Sequence, residues 1–415
     1  MKTRRLIVLV AVVICLLTAI PGIAQGKVKL TVWGRDVLDD DPAHVSVAAL
    51  VKGFEAKYPD IDVEWVALGD PGLMDKTKIQ MAVGSGLPDI FQTWGGTTMG
   101  SYADKGMLLD LTAELKNIPG SAAAASAMTW KGKIYGVAPF FAVAGIFLNE
   151  GLFKANGIST KFASVDDLER AAAALKAAGV QPFACGAKDK WPPLAMYMYL
   201  TNRYGGDIFT QAAARKARFD ADPFVKAATL YQNWVKKGFL GDKPLGEGYG
   251  DAQQLMATGR AALHVTGSWM CAQYSSTDFT DQNLGFYAFP TIPGGKGKVT
   301  DVMGMPDIAY AATKEAASKK AAAVKFLTYA MSTEAGQADP GRIASMPGVI
   351  SKSNLTKMAV AVFGQSKTVQ FWWDQNLPAA ITTPLNETIQ TFFLPETNVK
   401  ASLAKYEELA AANIK

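Results

Sequence analysis

The stretch VKLTVWG, from Val28 to Gly34, decides the fold, because its alternation of apolar and polar residues predicts a β-strand. The segment AALVKGFEAKY that follows has apolar residues at helical spacing, and IDVEWVAL is strand-like again. LMDKTKIQMAVGSG then predicts a helix that ends at Gly84, and the apolar pair Ile90 and Phe91 predicts a third strand. This alternation of strands and helices predicts an α/β fold whose parallel sheet is joined by crossover helices.

Two tryptophans lie at or just after the ends of predicted strands of this sheet. Trp33 lies at the end of the first strand, and Trp94 follows the third strand in the glycine-rich turn TWGG. Ligands of open α/β sheets bind outside the carboxyl ends of the strands. We therefore expect Trp94 to face a ligand-binding cleft, with Trp33 at the same edge of the sheet.

The middle of the chain predicts a second α/β lobe. In SVDDLERAAAALKAAG, Ser164 is the expected helix N-cap, with Asp167 three residues later and Gly179 after the helix end. In DPFVKAATLYQNWVKKG, Asp222 is the expected cap and Pro223 the first helical residue. The short apolar stretches GVQPFACG, AALHVTG and NLGFYAFP predict strands. No flexible linker separates the halves, so we expect strand-like crossings to join them.

The first 24 of the 415 residues predict a secretory signal peptide. Three basic residues precede an apolar stretch from Leu6 to Leu17, and the pattern Gly22-x-Ala24 predicts cleavage after Ala24. Cleavage leaves 391 residues, more than the roughly 250 to 300 at which single cores stop growing, so two lobes are expected. We therefore expect a soluble protein that is exported to the periplasm.

The mature chain is almost neutral. Cleavage removes three basic residues and no acidic residue, so the formal net charge falls from +5 to +2. This small charge gives no electrostatic reason to expect binding to nucleic acid or to a membrane surface. Neither class of partner is therefore predicted.

The mature chain offers few residues for disulfide, metal or covalent chemistry. Only Cys185 and Cys271 remain, so at most one disulfide can form. His44 and His264 are the only histidines, which argues against a histidine-rich metal site or a histidine-based triad. No nucleophile elbow, phosphate loop or H-E-x-x-H motif is present. We expect no metal, no cofactor and no catalytic residue, and a glycosidase with paired carboxylates is the enzymatic alternative.

Tryptophans beside small, polar or proline residues recur on predicted loops and strand ends. An indole ring offers a flat apolar face and an N–H donor, which suit the C–H face and the hydroxyls of a sugar. Each ring taken alone is better explained by packing, but the set favours carbohydrate binding. The set comprises Trp33, Trp94, Trp191, Trp269, Trp372 and Trp373. Trp65 and Trp234, inside a predicted strand and a predicted helix, are expected in the core.

Polar residues near these aromatics are candidates for hydrogen bonds to sugar hydroxyls. Asp36 begins the acidic loop that follows the first strand, GRDVLDDDP. Lys188 and Asp189 lie in GAKDKW, and Asp374 lies in WWDQN. A solvated loop or a helix cap is the alternative role for the acidic loop.

A series of short motifs follows along nearly all of the mature chain: KLTVWG, LVKGFEAKYPDIDVE, GLPDIFQTW, YADKGMLLDLT, WKGKIYGVAPFF, FLNEGLF, YGGDIF, TGSWM, FLTYAMSTEAGQ and FWWDQ. This ordered set resembles the extracellular solute-binding proteins of bacterial carbohydrate ABC importers, the family 1 group that includes maltose-binding protein. The resemblance implies a two-lobed, type II periplasmic-binding-protein fold with crossings near Ala138, Met303 and Pro340. The implied lobes are residues 25–138 with 303–340, and residues 139–302 with 341–415.

The resemblance also implies roles for the predicted site residues. Trp94 is similar to the aromatic residue of the first lobe, and Trp269 to a stacking aromatic of the second. Trp372 or Trp373 is similar to another, and YGVAPFF adds Phe140 as an expected aromatic wall. The full set of expected ligand contacts is Trp33, Asp36, Trp94, Phe140, Lys188, Asp189, Trp191, Trp269, Trp372, Trp373 and Asp374.

Proteins of this kind hold a sugar between lobes that close like a hinge. We expect a non-enzymatic monomer that captures a mono- or oligosaccharide in the periplasm and delivers it to the transmembrane permease subunits of an ABC importer. A binding protein for a polyol, glycerol phosphate or peptide is an alternative, as is a secreted glycosidase. A receptor that presents sugar to a chemosensor is also left open.

Overall fold

The computed structural model of the protein describes residues 26–36, 38, 45–118, 127–275, 283–339 and 341–414. The predicted signal peptide, the acidic residues Asp39 to Asp41 and the expected crossing at Pro340 lie outside these residues. Within the described part of the chain, no helix is both long and apolar enough to cross a membrane.

The described strands form one large mixed sheet and a small two-stranded hairpin. The strands are β1 (Val28–Gly34), β2 (Ile61–Ala67), β3 (Ile90–Thr93), β4 (Thr129–Trp130), β5 (Lys133–Ile134), β6 (Gly136–Asn149), β7 (Gln181–Ala184), β8 (Ala261–Gly267), β9 (Leu284–Tyr287), β10 (Asp301–Ala312), β11 (Ile343–Ala344) and β12 (Thr368–Phe371). The order in the large sheet is β2-β1-β3-β10-β6-β8-β7. Strands β9 and β11 also pair with β6, and β12 pairs with β10.

Helices cover the faces and ends of this sheet. They are α1 (Val45–Lys57), α2 (Asp70–Val83), α3 (Gly96–Asp104), α4 (Thr112–Leu115), α5 (Glu150–Ala155), α6 (Val165–Ala177), α7 (Pro193–Gly205), α8 (Ile208–Ala213), α9 (Asp222–Lys236), α10 (Tyr249–Ala257), α11 (Met270–Tyr274), α12 (Lys320–Ala330), α13 (Thr333–Gln337), α14 (Asn354–Gly364), α15 (Trp373–Asn376), α16 (Ala379–Thr391) and α17 (Val399–Asn413). Short 3-10 turns cover Ala187–Asp189, Pro244–Gly246 and Lys314–Lys319.

The N-terminal part of the sheet has the predicted parallel arrangement. Strand β1 pairs in parallel with β2 on one side and with β3 on the other, so Val32 lies between Trp65 and Ile90. Helix α2 connects β2 to β3 and ends at Gly84, which takes the left-handed conformation with φ of 77°. The predicted strand–helix–strand–helix–strand order is therefore confirmed.

Two long antiparallel strands, β6 and β10, run from one hydrophobic core to another. Val137 of β6 and Ile308 of β10 belong to the first core, which is built around β1, β3 and α12. Ile146 of β6 and Met303 of β10 belong to the second core, which is built around α7, α9 and α16. Strands therefore connect the two cores, while the exact lobe boundaries implied by the resemblance stay a prediction.

The helix signals in the second half of the chain are only partly correct. The side chains of Ser164 and Asp167 form the predicted capping box at the start of α6. Asp222, predicted to cap α9, is instead its first helical residue, because the preceding Ala221 takes the extended N-cap conformation. The Asp222 carboxylate forms an i,i+4 ion pair with Lys226 at 2.7 Å.

Cys185 and Cys271 are buried, and within the described part of the chain they do not form a disulfide. Cys185 packs in the second core, whereas Cys271 belongs to a smaller cluster beside β8 and α14. Burial raises the pKa of the Cys185 thiol to about 12, so it stays protonated and unreactive near neutral pH. The disulfide that the sequence left open is therefore absent.

Candidate functional site

The residues predicted at the carboxyl end of β1 lie together, but they are held by other side chains. Trp33 is buried, and Nζ of Lys76 lies 4.3 Å from the centre of its ring. Asp36 pairs with Nε of Arg35 at 2.9 Å. The indole of Trp65 donates a hydrogen bond of 2.8 Å to the backbone carbonyl of Asp36. Trp65 is half-buried and packs against the first core, with its ring centre 6.3 Å from that of Tyr310, in partial agreement with its prediction as a core residue.

Trp94 lies where the two hydrophobic cores meet. Its partly exposed ring packs against residues of both cores. Gly96 in the same turn has a positive φ of 66°, and a side chain there would collide with the carbonyl oxygen of Gln375 in α15. The Thr97 hydroxyl donates a 3.0 Å hydrogen bond to the carbonyl of Asn376. The turn that carries Trp94 therefore contacts the helix that follows Trp372.

Four aromatic side chains, Trp191, Tyr249, Trp269 and Trp372, form a continuous cluster that we name the aromatic shelf. The ring centre of Trp191 lies 4.5 Å from that of Tyr249 and 6.1 Å from that of Trp269. The rings of Trp269 and Trp372 are 5.2 Å apart in an edge-to-face arrangement. Trp191 and Trp269 are partly exposed, whereas Trp372 is 2% exposed. The structure thus brings three predicted residues together.

Tyr249 orients the shelf through its hydroxyl group. The indole N–H of Trp269 donates to this hydroxyl at 2.7 Å, and the hydroxyl also bonds with that of Thr266 at 3.0 Å. Burial raises the pKa of Tyr249 to about 12, so the hydroxyl is protonated near neutral pH. Sequence analysis missed this residue, and the only local signal was a tyrosine between two glycines.

Lys188 and Asp189 are exposed beside the shelf on a 3-10 turn. One carboxylate oxygen of Asp189, Oδ2, accepts a 2.7 Å hydrogen bond from the backbone N–H of Tyr249, the first residue of α10. Asp189 therefore binds the start of a helix and helps to fix Tyr249. The backbone N–H of Lys188 donates to the carbonyl of Glu247 at 2.9 Å, which ties the same turn to α10.

Trp373 and Asp374 lie behind the shelf, in the second core. Trp373 is completely buried and stacks on Phe209 with ring centres 4.3 Å apart and planes 3° apart. It offers no surface to a ligand in this structure, because packing occupies both of its faces. Asp374 is 8% exposed, and burial raises its pKa to about 6. Among the residues that the structure describes, its Oδ1 atom has no hydrogen-bond partner.

Phe140, the expected aromatic wall, is a packing residue in this structure. It is 7% exposed and lies in the first core, in contact with a small cavity that Val47, Leu50 and Ile308 also line. The alternation of side chains along β6 explains this position, because successive residues of a strand point to opposite faces of the sheet. Its neighbour Phe141 lies on the other face and stacks on Phe363.

A buried ion-paired group lies beside the paired strands β6, β10 and β11, and we name it the crossing cluster. It consists of Arg342, Asp307 and Asp339. Nε of Arg342 lies 2.7 Å from Oδ2 of Asp339, and its Nη1 pairs with Oδ2 of Asp307. All three side chains are buried. Sequence analysis missed them, because the three residues share no local motif and Asp307 meets Arg342 only after distant segments have paired.

The arrangement suits binding of a polyhydroxylated ring. Trp191 and Trp269 offer partly exposed aromatic faces, while hydroxyl and carboxylate groups lie at the edges of the shelf. Within the described residues, no group of three or more histidine, cysteine, aspartate or glutamate side chains is placed to hold a metal ion.

A comparison with known families identifies the chain. The profile of the family described as bacterial extracellular solute-binding protein matches residues 43–337, more than half of the chain. The chain belongs to this family. Its expected membership of the solute-binding proteins is thereby confirmed, and membership indicates a protein that acts outside the cytoplasm.

Two relatives illustrate the sequence similarity. An uncharacterised ABC transporter extracellular-binding protein of Pyrococcus horikoshii is 28% identical over 281 residues, which cover 65% of this chain and 62% of that protein. A binding protein of Brucella abortus is 24% identical over 165 residues, covering 40% of this chain and 39% of the relative. The chain thus spans about three fifths of the first relative and two fifths of the second.

Similarity to solved structures extends over nearly the whole length of this solute-binding protein. A protein from a study of xylan utilisation by Caldanaerobius polysaccharolyticus has a TM-score of 0.85 at 23% identity, covering 92% of this chain and 99% of its own. A chitin oligosaccharide binding protein has a TM-score of 0.84 at 25% identity, covering 93% and 99%. A bacterial solute receptor with a preference for β-D-galactopyranose has a TM-score of 0.82 at 19% identity, covering 94% and 100%. The predicted two-lobed α/β fold is confirmed.

Proposed function

We propose that this protein is the periplasmic substrate-binding component of an ABC importer and captures a mono- or oligosaccharide between its two lobes. The observation that carries the proposal is the aromatic shelf, in which Tyr249 holds Trp269 while the faces of Trp191 and Trp269 stay partly exposed. Sugar rings bind well to such faces because their C–H groups are apolar while their hydroxyls need polar partners nearby.

Capture works by a shift between open and closed states. Trp94 contacts both cores, and the shelf lies on the second, so a sugar that touches both makes its full set of contacts only when the lobes are closed. The closed, loaded protein then docks on transmembrane permease subunits. The protein acts as a monomer, uses no cofactor and catalyses no reaction.

The comparisons support this proposal in two ways. The Pyrococcus relative is described as an ABC transporter extracellular-binding protein. Among the solved structures of similar fold are proteins that bind chitin oligosaccharide and galactopyranose. Export through a signal peptide cleaved after Ala24 is part of the same proposal.

A neutral sugar fits the site better than an anionic solute such as glycerol phosphate. The arginines near the cleft are already engaged by carboxylates, since Arg35 pairs with Asp36 and Arg342 pairs with Asp307 and Asp339. These five side chains carry two positive and three negative formal charges, which disfavours binding of a further anion.

Thermal unfolding of the mature protein with a panel of sugars tests the proposal. The panel should include chitotriose, xylotriose, maltotriose and galactose, together with glycerol phosphate. A ligand at 100 times its Kd stabilises the folded state by about 2.7 kcal/mol, which a melting curve detects readily. The sugar must be recovered unchanged, because a cleaved product would indicate a glycosidase.

Three single variants connect the ligand to the site. Trp94→Ala and Trp269→Ala should strongly reduce the sugar-induced shift. Trp130→Ala is the matched control, because this half-buried tryptophan donates its N–H to Asp104 on α3, away from the shelf. A shift with glycerol phosphate alone, or with no compound, would contradict the proposed ligand class.

A further inference from the structure

The crossing cluster lies at the point where the chain passes between the two cores. Asp307 belongs to β10 and sits at an irregularity in the pairing of β10 with β6, directly before Ile308 of the first core. Arg342 directly precedes β11, where Ile343 pairs with Phe141 of β6. The three strands β6, β10 and β11 therefore lie side by side at the cluster.

A single guanidinium group connects two separate segments of this crossing. Arg342 uses Nε for Asp339, three residues earlier, and Nη1 for Asp307 on β10. The side chains of Arg342, Asp307 and Asp339 are 7%, 4% and 7% exposed. A buried ion pair has a narrow range of acceptable geometries, because loss of either partner leaves an uncompensated charge in the interior. The cluster therefore restricts how the segments can move relative to each other.

The charges of the cluster also act on both parts of the candidate site. Burial disfavours the charged form of Arg342, but the charges of Asp307 and Asp339 raise its pKa, and the charge of Asp36 at the end of β1 adds to this rise. Burial also raises the pKa of Tyr249 in the shelf, and the charge of Asp307 adds to that effect. The cluster is thus coupled electrostatically to Asp36 and to Tyr249.

We propose that Arg342 is a positioning residue for ligand capture. By holding Asp307 and Asp339 in one ion-paired unit, it fixes the relative orientation of the two cores, and with it the distance from Trp94 to the shelf. Arg342 makes no contact with the ligand in this mechanism. The effect on sugar binding rests on the proposed function, whereas the effect on orientation does not.

Distance measurement between two spin labels tests the proposal without any ligand. Labels are attached to cysteines placed at the exposed residues Lys78 and Lys243. Lys78 lies on α2, which packs against the first core, and Lys243 lies in the loop between Leu240 and Leu245, which pack in the second. The native Cys185 and Cys271 are buried, so the new cysteines can be labelled selectively. Pulsed electron paramagnetic resonance then gives the distribution of distances between the cores.

Two replacements separate orientation from stability. Arg342→Met should lower Tm and broaden the distance distribution, because it leaves two buried carboxylates unpaired. The triple variant Arg342→Met/Asp307→Leu/Asp339→Leu removes all three charges, and such apolar replacements of buried ion groups often restore stability. We expect the triple variant to regain most of the lost Tm while its distance distribution stays broader than that of the wild type.

A conservative variant and a surface control complete the experiment. Arg342→Lys keeps the charge but loses the planar fork, so we expect it to fold and to show intermediate broadening. Arg170→Met removes an exposed arginine that pairs with Asp167, and it should change nothing. If the triple variant does not fold, the distance distribution of Arg342→Lys tests the proposal instead. A wild-type distance distribution in the deciding variant overturns the proposal, because Arg342 would then serve stability alone.

Binding of chitotriose by the same variants tests the functional consequence. If the wild type binds this sugar, the triple variant should bind it at least tenfold more weakly, and Arg170→Met should bind it equally well. Equal affinity of the triple variant and the wild type would contradict the role in capture. If the wild type binds no sugar at all, the proposed function fails while the distance measurement still decides the role of Arg342.

Discussion

The aromatic shelf and the aromatic stack around Trp373 contain the same kinds of side chains in different surroundings. Trp269 and Trp373 each satisfy their indole N–H, one with the Tyr249 hydroxyl at 2.7 Å and the other with Oε1 of Gln370 at 3.0 Å. Trp373 nevertheless stacks face to face on Phe209 and is fully buried, whereas Trp269 meets its neighbours at steep angles and stays partly exposed. An aromatic residue is available to a ligand only when packing leaves one of its faces free.

The largest effect should come from truncation of the buried stack. Trp373→Ala removes a ring that packs against Phe209 and Phe224, and should lower the free energy of unfolding by about 3–5 kcal/mol. Denaturation by urea measures this loss. The Trp373→Ala molecules that remain folded should bind sugar with nearly the affinity of the wild type. A large stability loss from Trp269→Ala as well would erase the distinction between the two regions.

Truncation of the shelf should affect binding more than stability. Trp269→Ala should weaken binding of the cognate sugar by about 2 kcal/mol, roughly thirtyfold in Kd, because an exposed face that contacts the ligand is lost. Isothermal titration calorimetry measures the change. Trp130→Ala serves as the control with equal loss of indole. Unaltered affinity in Trp269→Ala would show that the shelf does not hold the sugar.

Asp374 allows a pH test of the region behind the shelf. Burial raises its pKa to about 6 from 3.8, so the folded protein binds this proton more tightly than the unfolded chain does. The contribution of this group to stability therefore increases as the pH falls from 7 towards 4. Asp374→Asn replaces a buried, charged carboxylate by a neutral amide. It should therefore stabilise the protein at pH 7.5 by on the order of 1–2 kcal/mol.

The same gain should be smaller at pH 5, where Asp374 of the wild type is largely protonated. Thermal unfolding of both proteins at the two pH values gives the comparison. A stabilisation by Asp374→Asn that does not change with pH would contradict the assigned protonation.

The smallest effect should come from a single hydroxyl. Tyr249→Phe leaves the Trp269 N–H without its partner, and should reduce stability by about 1 kcal/mol. Sugar affinity should fall severalfold, because Trp269 would then sample more orientations. The emission maximum of tryptophan fluorescence should shift, because the indole N–H of Trp269 loses its hydrogen-bond partner. Identical affinity and fluorescence would show that Tyr249 does not orient the shelf.

Local sequence patterns predicted much of the fold because they reflect local physics. The alternation in VKLTVWG and the cap at Ser164 depend on neighbours in the chain, and both predictions are confirmed. Phe140 and Trp373 show the limit, because a strand or helix position does not reveal which face tertiary packing will cover. Arg342 and Asp307 are 35 residues apart and meet only after the strands have paired, so no local signal could reveal them.

The most direct test of the central claim is fluorine NMR of the protein with all its tryptophans replaced by 5-fluorotryptophan, titrated with the sugar found by thermal unfolding. Single Trp→Phe variants assign the resonances. The account predicts that the signals of Trp191, Trp269 and Trp94 shift on binding, while those of Trp234 and Trp373 stay in place. Saturable binding that moves the signals of Trp234 or Trp373 and leaves those of Trp191 and Trp269 unchanged would contradict it.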